Sequence, residues 1–270
     1  MPTIFGMLRI KNEARWIDRV LKAIVPHCER VFVMDDHSTD GTPEFCRAAG
    51  ERVTVWASPF DTMDESRDKQ WMLDRMGLLV PDHHLAGDPS SPYWTLAIDG
   101  DEEMTPGSAQ FLRAAVHSAG AKAWRARIPF LWNSPETVRI DGVYSSSFLN
   151  NGRPSLFRMM NRNFGFLKTP WGNGSNFHCS SIPQELLGSA RPSPITLKHW
   201  GYLDPADRLR KWDWYSMIDP HNDSEDSYRH MIQEDVAERV CPHCKQAVAI
   251  PTGKLMHAGP LQLAPVGAVM

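Results

Sequence analysis

The N-terminal third of this chain alternates between two patterns, and that alternation limits the folds open to it more than any other feature. Short apolar runs rich in β-branched and aromatic residues lie at Thr3–Leu8, Arg30–Met34, Arg52–Trp56 and Tyr93–Ile98, separated by segments of helical period. In the first such segment Ala14, Ile17, Val20, Leu21 and Ile24 recur at spacings of three and four, which makes one apolar stripe on a helix. The second starts at Thr42-Pro43 and stops near Gly50, and the third runs from about Asp64 to Met76. Strand–helix–strand alternation predicts a parallel α/β sheet with helices on its faces.

After Glu103 the pattern loosens. A helix is expected around Ala109–Ser118 and a strand at Ala123–Pro129, followed by a long irregular region. Asp204-Pro205-Ala206-Asp207 has the signs of a helix start: a capping Asp, Pro at the first position and an acid in the first turn. A further helix is expected from about Glu225, with Tyr228, Met231, Ile232 and Val236 on one face, and then an irregular tail. Residues 81–92 read as a loop by composition.

Two strands end in acid. Asp35-Asp36-His37-Ser38-Thr39-Asp40-Gly41-Thr42 follows one, and Asp99-Gly100-Asp101-Glu102-Glu103 follows another. In open α/β sheets ligands sit outside the carboxyl ends of the strands, near the switch in strand order. Asp-x-Asp puts two carboxylates on one side of an extended chain, and Gly100 leaves room for a ligand to approach the backbone. Hard oxygen ligands suit Mg²⁺ or Mn²⁺, which completes its shell with waters and substrate phosphates. The missing positive charge is then a divalent ion carrying a diphosphate. A solvated turn or helix cap is the plainer alternative for an Asp-x-Asp met alone.

Four segments in order, MLRIKNEARWIDRVL (7–21), VFVMDDHSTDGTPEF (31–45), DESRDKQWML (64–73) and LAIDGDEEM (96–104), together with KHWGYLDPADRLRKWDWY (198–215), resemble family 2 glycosyltransferases of the GT-A fold. The resemblance implies a Rossmann-like, mostly parallel α/β sheet flanked by helices. Residues 1–105 would form its nucleotide-sugar half, 106–220 its acceptor half and 221–270 a C-terminal helix and tail. It implies a nucleotide-sugar donor, of the UDP type, and a hexosyl-type transfer that depends on Mn²⁺ or Mg²⁺. Ile10 and Asn12 would line the nucleotide pocket. Asp36, with Asp35 as the alternative, would contact base or ribose, and Arg67 the base or diphosphate. Asp101 would be the main metal ligand, with Asp99 toward ribose or metal and His199 completing the metal or diphosphate contact. The residues also allow other roles: Asn12 suits a cap of the first helix, Arg67 a pair with Asp64 or Asp68, and His199 a hydrogen-bonded core position beside Trp200.

Between Asp141 and Glu185 there is no acidic residue, while Arg153, Arg158, Arg162 and Lys168 alternate with aromatic side chains. Aromatic faces stack on sugars or bases and arginines answer phosphates, which suits an acceptor side. The acceptor could be a glycan, a lipid-linked glycan or, because single-stranded nucleic-acid binders share this composition, a nucleobase in DNA. A surface-basic hydrophobic subdomain is the alternative. An inverting transfer needs a carboxylate base, for which Glu185 and Asp141 are the candidates.

Cys241-Pro-His-Cys244 has zinc-knuckle spacing, with His230 and His257 as the remaining ligands, His243 as a further candidate, and free thiols in a tail as the alternative. The other three of the five cysteines are scattered, which argues against a disulfide framework and for a reducing, cytoplasmic setting. The start MPTIFGMLRIKNE lacks a signal-peptide pattern, and no run approaches the roughly 18 apolar residues of a membrane span. A formal charge of −3 gives no general reason to expect a polyanion partner. GxxxxGK[ST], HExxH, GxSxG and a full GxGxxG are absent, which removes the usual signatures of P-loop, zincin, esterase and dinucleotide chemistry. The rival readings are a non-catalytic sugar- or nucleotide-binding module, a sugar nucleotidyltransferase and an aspartyl-phosphate phosphatase.

Overall fold

The computed structural model describes residues 2–86, 92–118, 120–139, 144–160, 163–166, 178–219 and 228–232, apart from the side chains of 145–147 and 229; it also gives the backbone of 238–240, 247–249 and 257–258. The main sheet has eight strands. Its first half is parallel: β1 (Thr3–Ile10) lies between β2 (Arg30–Asp35) and β4 (Tyr93–Ala97), and β3 (Val53–Ala57) flanks β2. Beyond β4 come β9 (Arg153–Arg158), β6 (Ala123–Arg127), β10 (Ala190–His199) and β5 (Glu102–Met104). There β6 and β10 are parallel, while β9 runs against β4 and β6, and β5 against β10. The sheet is therefore of the expected α/β class, with a parallel half and a mixed half.

Strands β1 and β2 are apolar on both faces, as a sheet covered by helices on both sides requires. In β1, Ile4, Leu8 and Ile10 enter one core cluster while Phe5 and Met7 enter the other. In β2 the same period of two sends Val31 and Val33 one way and Phe32 and Met34 the other. Helix α1 (Ile17–Ile24) covers the first face with Ile17, Val20, Leu21 and Ile24, all at most 1% exposed. Helix α2 (Thr42–Ala48) lies beside it. Helix α3 (Glu65–Gly77) covers the second face with Met72, Leu73 and Met76, and the Asp64 side chain accepts the Arg67 N–H at its start. An eight-residue helix such as α1 is not stable alone. Burial of its four stripe residues, about 1.5–3 kcal/mol each as an upper estimate, holds it in place.

The remaining helices are α4 (Asp82–Leu85), α5 (Pro106–Ala115), α6 (Gln184–Leu187) and α7 (Pro205–Ile218). A small sheet joins β7 (Leu131–Trp132), β8 (Ser134–Arg139) and β13 (His257–Ala258), and β11 (Glu238–Val240) pairs with β12 (Ala247–Ala249).

Several expectations are corrected. The region after Pro129 is not irregular: it holds β7 to β10 and a π-helical turn at Tyr144–Asn150. Strand β10 was hidden by Pro192 and Pro194, which cannot donate to a ladder; its register with β6 shifts between Pro192 and Thr196, and the Ser193 hydroxyl bonds the Arg125 carbonyl at 2.6 Å instead. Residues 82–85 of the expected loop form α4. Of the helix expected from Glu225, the described residues form a 3-10 turn at Tyr228–Met231, with Tyr228, Met231 and Ile232 buried, while 225–227 and 233–237, Val236 among them, lie outside the described residues. The tail contains short strands because β13 adds to β8. Among the described residues no helix is long and apolar enough to cross a membrane.

Replacing Leu21→Ala should cost about 2–5 kcal/mol in urea-unfolding free energy. Lys22→Ala on the exposed side of the same helix should stay within about 0.5 kcal/mol.

Candidate active site

The chain leaves β1 toward β2 on one side and later crosses to β4 on the other, so the switch in strand order lies between β1 and β4. That is where an open α/β sheet forms a crevice at its carboxyl edge. Asn12 and Glu13 follow β1 there, and Asp99 and Asp101 follow β4.

The Ser-Thr-Asp-Gly-Thr run after β2 works as a latch. The Ser38 hydroxyl accepts the Asn12 N–H at 2.8 Å, the Thr42 hydroxyl accepts the Glu13 N–H at 2.8 Å, and Asp40 accepts the Ala14 N–H at 3.0 Å. The Asn12 side-chain oxygen returns the contact by accepting the Thr39 N–H at 2.8 Å. Asn12 therefore does not cap α1; it ties two loops together, in a left-handed conformation (φ 55°) that Asn tolerates. Glu13 is set in place by this latch.

Behind the latch runs a chain of alternating charges. Arg9 bonds Asp36 and Asp68, each at 2.7 Å; Lys11 lies 3.6 Å from Asp36; Arg67 bonds Asp68 at 2.7 Å and covers the Phe60 ring. Asp36 is thus a buried partner of Arg9 and Lys11. Asp35 takes the Ser38 N–H on one carboxylate oxygen, and its other oxygen is buried with no hydrogen-bond partner among the described residues. Ile10 is 1% exposed and belongs to the core, so its side chain does not line a pocket. A Cβ at Gly100 would come within 2.8 Å of the Ile10 side chain and 3.0 Å of Glu13. This glycine makes room for the packing of Ile10 and Glu13.

The second half of the site is assembled by strand pairing. β5 runs antiparallel to β10, which sets His199 opposite Glu102 and Lys198 opposite Glu103, and the Trp200 N–H donates to the Asp101 carbonyl at 2.9 Å. Asp101 is 2% exposed; its Oδ2 lies 2.5 Å from Lys211 Nζ and 3.7 Å from His199 Nε2. Burial works against the Asp101 charge, yet His199 and Lys211 outweigh it and hold the carboxyl well below the usual range. Burial lowers His199 to about 4, so its imidazole is neutral at pH 7; it stacks on Phe130 at 4.4 Å, and its Nδ1 is buried with no partner among the described residues. Lys211, from α7, also lies 3.6 Å from Glu13, whose carboxyl burial lifts to about 8. Asp99 is half exposed and bonds Arg153 at 2.8 Å, and the same guanidinium bonds buried Glu102. Glu103 pairs with Arg19 and accepts the Trp200 indole N–H at 2.9 Å. The four carboxylates of the Asp99–Glu103 run are therefore answered first by the protein's own cations.

A third polar group closes the site from α3. Glu65 bonds His178 Nδ1 at 3.1 Å and Lys69 at 3.3 Å, and His178 Nε2 meets the Tyr228 hydroxyl at 3.1 Å, which donates to Asp219. Lys69 feels the fields of Asp99 and Arg153, and Tyr215 those of Glu65, Lys211 and Asp99, so the clusters face one region. A separate cavity of about 200 Å³ lies apart, lined by Leu73, Leu85, Met159 and Phe164 among others; it is mainly apolar.

The sequence-expected residues thus divide. Asp99, Gly100, Asp101 and His199 come together, with Asn12 and Asp35 at the adjoining loops and Arg67 on the charge chain behind. Glu185 does not join them. It is exposed on α6, accepts the Gly165 N–H, and precedes the amino end of β10. Asp204 starts α7 without a side-chain cap, because its carboxylate pairs with Arg15. Asp141, Cys241, His243 and Cys244 lie outside the described residues, as does the side chain of His257; the His230 ring lies 5.6 Å from that of Tyr144. Sequence reading missed Glu13, Glu65, Lys69 and Lys211. Their only sequence signal is membership of the motif blocks.

Among the described residues no group of three or more His, Cys, Asp or Glu side chains is gathered as a metal cluster. The donor types nevertheless suit Mg²⁺ or Mn²⁺: an ionised carboxylate (Asp101), a neutral imidazole (His199) and a half-exposed carboxylate (Asp99). Lys211 occupies the Asp101 oxygen that such an ion would use.

No protein-family model matches the chain, and no curated protein matches it. Among solved structures it is similar to S. aureus TarS 1–349, with 12% identity over 86% of this chain and 70% of that one and a TM-score of 0.49. It is similar to mannosyl-3-phosphoglycerate synthase from Rubrobacter xylanophilus, with 15% identity over 96% and 87% of the two chains and a TM-score of 0.45. It is also similar to glucosyl-3-phosphoglycerate synthase from Mycobacterium tuberculosis in complex with Mn²⁺, UDP-glucose and phosphoglyceric acid, with 15% identity over 96% and 89% and a TM-score of 0.45. At this level of likeness the chemistry rests on the chain's own residues.

Two outcomes follow from the geometry. Asp40→Ala should cost about 0.5–2 kcal/mol and speed hydrogen exchange at the amides of residues 12–14, read by mass spectrometry. Burial opposes the Glu65 charge, but Lys69 and His178 outweigh it and hold the carboxyl below its ordinary value. A depressed carboxylate contributes stability above its unfolded pKa of about 4.3, and that stability is lost as the pH falls below it. Glu65→Gln should therefore destabilise at pH 7 by about 1–3 kcal/mol and narrow its gap to the wild type in acid, measured by urea unfolding across pH.

Proposed function

We propose that the chain is a glycosyltransferase that moves a sugar, of the hexosyl type, from a nucleoside diphosphate sugar, UDP-linked in the first instance, to an acceptor hydroxyl. The observation that carries this reading is the β5–β10 pairing, which brings the Asp99-Gly-Asp101 run and His199 together at the β1/β4 switch point. Base and ribose would lie against the Asp35 side, where a buried carboxylate oxygen has no partner among the described residues, with Asn12 and Arg67 nearby. Asp101, Asp99 and His199 would hold Mn²⁺ or Mg²⁺. That ion, when bound, would offset the negative charge that develops on the departing diphosphate.

The chain's own groups support the same chemistry. Arg153, Lys69 and Lys211 give a cationic floor on which two phosphates can be oriented. Half-buried Asp99 and hydroxyl-bearing Tyr215 give groups to orient a sugar. The acceptor hydroxyl, from a glycan, a lipid-linked glycan or a nucleobase, would enter beside Arg153 at the amino end of β9, which lies against the carboxyl end of β4. Asp141 or Glu185 is the proposed base if the transfer inverts. The division into a donor half up to residue 105, an acceptor half up to 220, and a tail clipped by zinc on Cys241, Cys244, His230 and His257 is part of the same proposal.

A thermal-shift panel of nucleoside diphosphates and their sugars, with and without Mn²⁺, tests it. At a hundredfold excess over Kd the matching nucleotide should raise Tm by about 5 °C or more, more so with metal. Asp101→Asn should remove the metal-dependent part. A flat response to every nucleotide sinks the reading, and donor hydrolysis without acceptor separates an enzyme from a pure binder.

A further inference from the structure

Lys211 sits where an ion is expected. Its ammonium is 2.5 Å from Asp101 Oδ2, the oxygen that also faces His199 Nε2 at 3.7 Å, and 3.6 Å from Glu13. The contact is built into the fold. The Lys211 side chain is only 15% exposed and that of Asp101 3%. A Cβ at position 201 would overlap both the Asp101 carboxylate and the Lys211 ammonium, so only glycine leaves space for the pair. The start of α7 is anchored by Arg15 to Asp204 and Asp207, and by buried Arg208, which donates to the carbonyls of Tyr202 and Leu203. The helix therefore presents Lys211 to Asp101 from a fixed base.

We infer that Lys211 is a tethered counter-cation that competes with the divalent ion for Asp101, and that the ion binds by displacing it. The inference rests on the metal-assisted reading of this site. Two cations cannot share one carboxylate oxygen without repulsion, so the ion's gain at Asp101 and His199 is reduced by the lost Lys211 contact. The flexible four-carbon stem lets the displaced ammonium turn to another anion, and the donor's diphosphate is the one the site would supply. Metal and donor then bind together better than either alone, which disfavours an ion-loaded site without substrate.

The test is Mn²⁺ binding to the nucleotide-free protein, followed by the electron paramagnetic resonance signal of free Mn²⁺. Lys211→Met should bind Mn²⁺ at least tenfold more tightly than the wild type, and Lys211→Gln, which keeps a hydrogen-bond donor for Asp101, should shift the same way. Adding Asp101→Asn to either should abolish the gain. Equal or weaker Mn²⁺ affinity in both folded variants, with the wild type still binding, overturns the competition and leaves the metal site standing. No Mn²⁺ binding by any of the proteins, with or without UDP, removes the metal reading and the competition together. In the unmutated protein, amine acylation at Lys211, read by peptide mass spectrometry, should rise several-fold as Mn²⁺ is added. Labelling that stays constant at Mn²⁺ saturation overturns the displacement.

Discussion

Everything at the carboxyl edge of this sheet depends on charge neutralisation in a buried place. Asp36, Asp68, Asp101 and Glu102 are each nearly or fully buried, with Glu13 and Glu65 close behind, and burial lifts Glu13 and Glu102 to about 8, which leaves these two largely neutral at pH 7. Ionised groups are tolerated out of water only when paired, and losing one partner of such a pair costs about 3–5 kcal/mol. Arg9, Arg67, Lys69, Arg153 and Lys211 answer them from four different elements: β1, α3, β9 and α7. The pairs therefore also fasten those elements to one another. The same contacts that make the region chemically able hold it in shape.

This accounts for how the motifs divide their work. The acids and hydroxyls of the Asp35–Thr42 run are largely spent on backbone amides of the loop after β1. What they achieve for function is indirect: they fix Glu13 and the entrance at Asn12. The Asp99–Glu103 run divides between a buried carboxylate facing His199, a second one locked to Arg153, and a half-exposed Asp99 on the rim. A dense acidic motif is thus read less as a ligand bundle than as the meeting point of several elements, of which one or two oxygens are left to change partner.

Much of this was legible from residue order. The short apolar runs of β1 to β4 and the stripe on α1 located the parallel half, since a two-sided apolar strand has few other homes. Of the mixed half only β6 was legible. β9 and β10 carry prolines, and their strand character comes from pairing partners far along the chain, which local propensity does not report. At the site, Asp99, Asp101 and His199 were visible as residue types in blocks, but the packing of the Ile10 side chain against Gly100 was not, because it comes from another strand.

By itself the sequence determined the α/β class, the acid-terminated strands and the residue types able to bind a cation, because periodicity and local composition act over a few residues. Only the tertiary structure decided which cation answers which acid. Lys211 reaches Asp101 across 110 positions, and Arg153 reaches Glu102 across 51, through strand pairing and helix docking. Coulomb energy depends on distance in space and on burial, and neither is written in the order of the chain.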